Sequence, residues 1–341
     1  MDPLTKPRRV RSGDTVAVVS PSFGAVGRWP HRVKRATAYL ESLDLKVRVM
    51  PNAARSDGWA SAPPEARAAD LHEAFGDDEV GVVLAGIGGN FSNELLPLLD
   101  FDLIRAHPKV FQGYSDITVL HWAFAKHAGL GTFHGPALVP ELGEFPQVLP
   151  HTDRYLRAAW FGDEPIIYEP ADVWTDAVLP DWNTDLDLTQ ARELRPSEGW
   201  IAIREGKARG PLFGGCLEAI CWHLKGSNAW LDPEGAILLL ETSEMGYSPP
   251  PVIDGYLIDL EQLGVFDAAA ALIIARPHGH TAEDTKLLWD AVAKRTEAAA
   301  LPVLANVEAG HADPMVILPF GVEAEVDTRQ KSLRLLDSPT S

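Results

Sequence analysis

The chain is 341 residues long and 46% hydrophobic, enough to fill two hydrophobic cores rather than one. Its formal net charge of −18 argues against nucleic acid or an anionic membrane surface as a general partner, because either would be repelled without a concentrated basic patch. Two cysteines encode neither a disulfide framework nor a zinc site, no apolar run approaches the roughly 18 residues of a membrane span, and the start of the chain lacks a signal peptide's apolar core, so a cytoplasmic protein is expected.

In chain order, Lys6, Arg8, Arg9 and Arg11 form the basic stretch and read as a solvated terminus rather than a nucleic-acid arm. Thr15–Ser20 reads as a buried strand, and Pro30–Leu43 as a helix with Val33, Ala36, Tyr39 and Leu40 at helical spacing. Lys46–Met50 is a second strand, 67–76 a helix, Val80–Leu84 a third strand and Asn93–Leu99 a short helix. Val110–Gln112 then leads through a turn at Ser115 into another helix. Over Phe161–Arg204 the periodicity disappears while prolines, acids and tryptophans rise. Beyond it come a Gly214-Gly215 turn, a helix through Leu224 carrying Cys216 and Cys221, a strand ending at Glu241, a helix Ile253–Leu263, a strand Ala271–Ala275, a helix over 283–297 and a strand before His311. The alternation predicts an α/β fold: a Rossmann-like parallel sheet with helices on both faces over 1–163, a linker and flap over 164–206, and a smaller mixed-sheet α/β domain over 207–341.

Three side chains stand where chemistry collects in such folds. Ser115 lies on a sharp strand-to-helix turn, which suits a nucleophile and equally suits a helix N-cap. Glu241 ends the apolar run Ile237–Leu240, as a strand-end acid or simply a solvated terminus. His311 follows Gly310 on a loop after the apolar run Pro302-Val303-Leu304. His278 and His280 flank Gly279 and offer a second base or part of a metal site, yet no neighbouring cysteine or His-Glu-x-x-His pattern completes a ligand set, and His134 reads as supporting a loop. Gly86-x-Gly88-Gly89 lacks the Walker lysine and the full dinucleotide spacing. An α/β-hydrolase elbow is disfavoured because Ile117 stands where that turn needs glycine, and a non-catalytic ligand-binding module remains open.

Together with Ser12–Ser22, Gly86–Asn90, Pro108–Phe111, His134-Gly135-Pro136 and the Gly-His-x-x-Pro segment, these residues resemble the LD-carboxypeptidase family of serine peptidases across nearly the whole chain. Ile87–Leu96 and the Trp-rich middle segment look most like its microcin C immunity branch. The resemblance implies a Ser115-Glu241-His311 triad, an oxyanion hole from the backbone of Asp116, Gly88 and Gly89, and substrate contacts from Asn90, Trp174, Trp182 and Arg276. It further implies no cofactor or metal, a small peptide or aminoacyl-nucleotide substrate, and a homodimer. Two departures matter. Murein-cleaving members carry arginine where Ile87 stands, and immunity members favour asparagine where Cys216 stands. A histidine base of ordinary basicity predicts an activity loss on acidification near pH 6 to 7, on the order of the free imidazole pKa.

Overall fold

The computed structural model describes residues 3–177, 182–183, 185–244 and 246–341, so Met1-Asp2, residues 178–181 and 184 of the expected flap, and Met245 lie outside the described residues. Two sheets make the frame. The first has six strands in the order Leu318–Pro319, Phe133–His134, Val110–Gly113, Val80–Ala85, Thr15–Val19 and Lys46–Val49. All neighbours pair in parallel except Leu318–Pro319, which runs antiparallel to Phe133–His134. The second has eight strands around a parallel centre of Lys207–Cys216, Ile237–Glu241, Ala271–Ala275 and Val303–Val307, with antiparallel strands at both edges. Thr15–Val19, Val80–Ala85, Ile237–Glu241, Ala271–Ala275 and Val303–Val307 are buried along their whole length, which is why their sequences are apolar runs rather than alternating ones.

Most predicted elements occur close to their expected bounds: the helices Pro30–Ser42 and Ala282–Arg295 fall within two residues of them, while Pro64–Gly76 and Pro250–Gln262 each begin three residues earlier than expected. Several expectations need correction. Asn93–Leu99 is not one helix: a single turn, Ser92–Leu95, stops before Pro97, and a separate helix, Phe101–Ala106, starts where the Asp100 side chain accepts from the Leu103 N–H. Gly214-Gly215 is not a turn but the end of a ten-residue strand, where both residues take φ near +130°. A Cβ on Gly215 would meet Thr118 Oγ1 at 2.4 Å, so glycine here lets the two halves touch. Cys216 therefore ends a strand rather than riding a helix with Cys221, though both are buried free thiols. His134 lies in a strand and stacks on Phe320. The basic terminus is not frayed, since the Val10 N–H donates to Trp160 and Lys6, Arg8 and Arg9 pair with Asp337, Asp14 and Asp163.

The two halves share a core. One continuous buried cluster includes Val16 and Trp122 from the first half and Phe213, Leu239 and Phe320 from the second. Trp122 crosses the boundary, its indole N–H donating to the Gly214 carbonyl at 2.8 Å while its ring packs on Phe213. This packing brings the carboxyl ends of strands from both sheets toward one cleft.

Candidate active site

Each of the three proposed reacting side chains leaves the carboxyl end of a parallel strand. Ser115 follows Val110–Gly113, Glu241 closes Ile237–Glu241, and His311 lies four residues beyond Val303–Val307. Ser115 takes φ +61°, a conformation rare for a residue with a side chain, in a turn whose following residues begin a helix. The N-cap reading of Ser115 does not hold, because Tyr114 occupies that position and the turn has no side-chain cap. Instead the Ser115 hydroxyl lies 3.1 Å from His311 Nε2, and His311 Nδ1 lies 2.7 Å from Glu241 Oε2. Glu241 is fully buried, so it is no solvated strand end.

Electrostatics follow from that burial. Desolvation pulls the His311 pKa down, but the charge and hydrogen bond of Glu241 outweigh it and hold the imidazole well above its usual range. Tyr114 packs edge-on against the His311 ring at 5.0 Å, and its hydroxyl donates to the buried Glu141 at 2.7 Å. Burial, with the neighbouring Asp313, pushes the Glu141 carboxyl up to about 8.

The serine opens onto a cavity of about 620 Å³ between the halves. Gly88, Gly89, Asn90, Asp116 and Trp182 all line it. Only glycine fits at 88, since a Cβ would sit 2.7 Å from Ser115 Cβ and 2.9 Å from its Oγ. The Asp116 N–H sits in the first turn of the short helix with no acceptor among the described residues, while its side chain accepts from the Phe91 and Ser92 N–H groups and fixes the Gly-Gly loop against the serine turn. Trp182 meets Trp29 edge-to-face at 4.7 Å, beneath the Arg32 guanidinium. Trp174 and Arg276 lie together instead, with the Trp174 ring against the guanidinium groups of Arg195 and Arg276, and neither is part of the cavity lining. Arg276 is buried and paired with Glu308.

Sequence reasoning missed two groups here. Arg192, from the aperiodic flap, reaches both Glu144 and Asp313 through one nitrogen and straps the flap onto the loop that carries His311. Glu218 is buried and takes donors from Ser243, Ser248 and the Cys216 thiol. The signal for Glu218 was a lone acid in an apolar helical run; Arg192 offered none, because its partners are 48 and 121 residues away.

Residues 16–135 match the family model of the LD-carboxypeptidase N-terminal domain, and residues 209–326 that of the LD-carboxypeptidase C-terminal domain. The chain is 32% identical to "Probable murein peptide carboxypeptidase" of Bacillus subtilis (strain 168), over 96% of this chain and 93% of the relative. It is 28% identical to the microcin C7 self-immunity protein MccF of Escherichia coli, over 95% and 94%. The solved structure of MccF in complex with glutamyl sulfamoyl guanosine superposes with a TM-score of 0.88 at 26% identity, covering 98% of this chain and 99% of that one.

Proposed function

This chain belongs to the LD-carboxypeptidase family of serine-type hydrolases, and we propose that Ser115, His311 and Glu241 are its catalytic triad. The observation that carries this reading is the unbroken Ser115–His311–Glu241 hydrogen-bonded chain at the wall of the shared cavity. His311 takes the proton from Ser115 Oγ as that oxygen attacks the substrate carbonyl, and later gives it to the leaving group. Glu241 holds the ring and stabilises its charged form. The Asp116 N–H and an N–H of Gly88-Gly89 receive the developing oxyanion, and water then releases the acyl group.

The substrate we favour is an aminoacyl nucleotide, cleaved at its amide-type bond. Two features support it: the aromatic end of the cavity formed by Phe23, Trp29 and Trp182, where a nucleobase can stack, and Ile87 in the place of a carboxylate-binding arginine. The murein tetrapeptide reading draws on the identity to the Bacillus subtilis relative. Side-by-side hydrolysis of a murein tetrapeptide and an aminoacyl sulfamoyl adenosine, with product masses read directly, separates them. Faster trimming of tetrapeptide to tripeptide would make this a murein carboxypeptidase. We further propose a cytoplasmic homodimer, to be checked by light scattering and cell fractionation; among the described residues no helix is long and apolar enough to cross a membrane.

A further inference from the structure

Charge is distributed unevenly around the cavity. Among the described lining residues five are carboxylates, Asp116, Glu141, Glu218, Glu244 and Asp313, and Arg192 alone is a lysine or arginine. Arg192 is already committed to Glu144 and Asp313, with its side chain only 9% exposed. Glu141 is taken up by the Tyr114 hydroxyl and the Ala137 N–H. Asp116 and Glu244 remain, on the wall built by the serine turn and the Glu244 segment, with Glu218 beside them already taking donors from Ser243, Ser248 and the Cys216 thiol.

A second observation shows that this wall is unfinished. Asp116 is 3% exposed, and although its Oδ2 accepts two backbone donors, its Oδ1 has no hydrogen-bond partner. It faces His223 Nε2, 3.9 Å away on the cavity wall and likewise without a partner. A buried carboxylate oxygen lacking a donor is unfavourable and uncommon in a native fold. A donor-rich group arriving in the cavity, with a small turn of His223, would complete it. Glu218 and Glu244 line the same cavity as His311 and Ser115. The aromatic lining residues Phe23, Trp29 and Trp182, by contrast, have no acid beside them among the described lining residues.

We infer that the wall of Asp116, Glu218 and Glu244 receives an acyl group bearing a side-chain ammonium, so that the substrate is a lysyl-type aminoacyl compound and not an acidic one. The inference rests on the reading of Ser115 as nucleophile and of the cavity as an aminoacyl-nucleotide site, and it adds the sign of the charge on the acyl group. An acidic acyl group would meet like charge at Asp116 and Glu244, with no uncommitted lysine or arginine among the described lining residues to answer it. An ammonium brings donors to the buried Asp116 oxygen that lacks one and a charge opposite to that of Glu244 at the exposed mouth.

The test separates binding from turnover. With Ser115→Ala protein, titration calorimetry is run with lysyl, norleucyl and glutamyl sulfamoyl adenosine, the norleucyl compound keeping the length and losing the charge. Lysyl should bind about tenfold or more tightly than norleucyl, with glutamyl weakest. Glu244→Gln, at the exposed mouth, should narrow the lysyl-to-norleucyl ratio without changing norleucyl affinity, and Glu218→Gln should do the same if it folds. Norleucyl or glutamyl binding as tightly as lysyl overturns the inference, as does binding of none of the three. Hydrolysis by the unmodified chain is read separately: a lysyl preference in binding with no hydrolysis of any compound would uphold the charge assignment and reject the hydrolase mechanism.

Discussion

In the proposed mechanism His311 sets the pH behaviour of the whole reaction. Its imidazole must accept the Ser115 proton, and below its pKa Nε2 already carries one, so the protonated enzyme is inactive. An ordinary imidazole would place that limb near pH 6 to 7, on the order of its free pKa. The Glu241 charge moves it up. We expect kcat/KM to climb with pH through neutrality into the alkaline range, measured on any hydrolysed substrate. Glu241→Gln should lower the rate on the order of a hundredfold or more and bring the limb back down, because the neutral amide no longer favours the cation. An unshifted limb with Glu241→Gln at full speed would remove Glu241 from the mechanism. Ile87, just before Gly88-Gly89 on the cavity wall, bears on selectivity. It cannot answer a terminal carboxylate taken out of water, and Ile87→Arg should raise kcat/KM for the tetrapeptide on the order of ten- to a hundredfold. No gain with the arginine in place would mean that the peptide terminus binds elsewhere.

At the scale of elements, the flap distinguishes its two tryptophans. Trp182 faces the cavity from its packing on Trp29, whereas Trp174 lies between Arg195 and Arg276 away from it. Trp182→Ala should raise KM for an adenylate substrate and spare a short peptide, and Trp174→Ala should change both alike; steady-state kinetics on the two substrates decides. Arg192 holds the flap to the His311 loop across two buried carboxylates. Arg192→Met leaves both acids without their cation, at a cost of about 3–5 kcal/mol measurable by urea unfolding. A stable Arg192→Met chain would show that the strap is dispensable. These elements also mark what could be read in advance. Buried strands such as Val80–Ala85 and Ile237–Glu241 announce themselves as apolar runs, and their ends pointed to Ser115, Glu241 and His311. The two-residue strands Phe133–His134 and Leu318–Pro319 are too short to carry a period, and the flap has none. Trp174 and Arg276 were expected at the substrate, and their mutual stacking depends on a fold that no local pattern encodes.

Over the whole molecule, the site exists only because the halves interlock. Leu318–Pro319 leaves the second half to pair with Phe133–His134 in the first sheet, while Ile167–Tyr168 and Ile201–Arg204 edge the second sheet. The Trp122 indole is bonded to Gly214, and Cys216 N–H donates to the Thr118 hydroxyl three residues past Ser115. Neither half can therefore loosen without exposing part of a core that runs through both. Chains of this size often unfold domain by domain, with separate transitions. Here the shared core and the crossed strand predict a single cooperative transition. Tryptophan fluorescence, which samples Trp122 and Trp160 in the core, and hydrolytic activity, which needs Ser115 against His311, should be lost at the same urea concentration. If activity vanished at distinctly lower urea while the fluorescence of the core stayed native, the halves would be separable units. The site would then be a hinge between two domains and not the product of one interlocked fold.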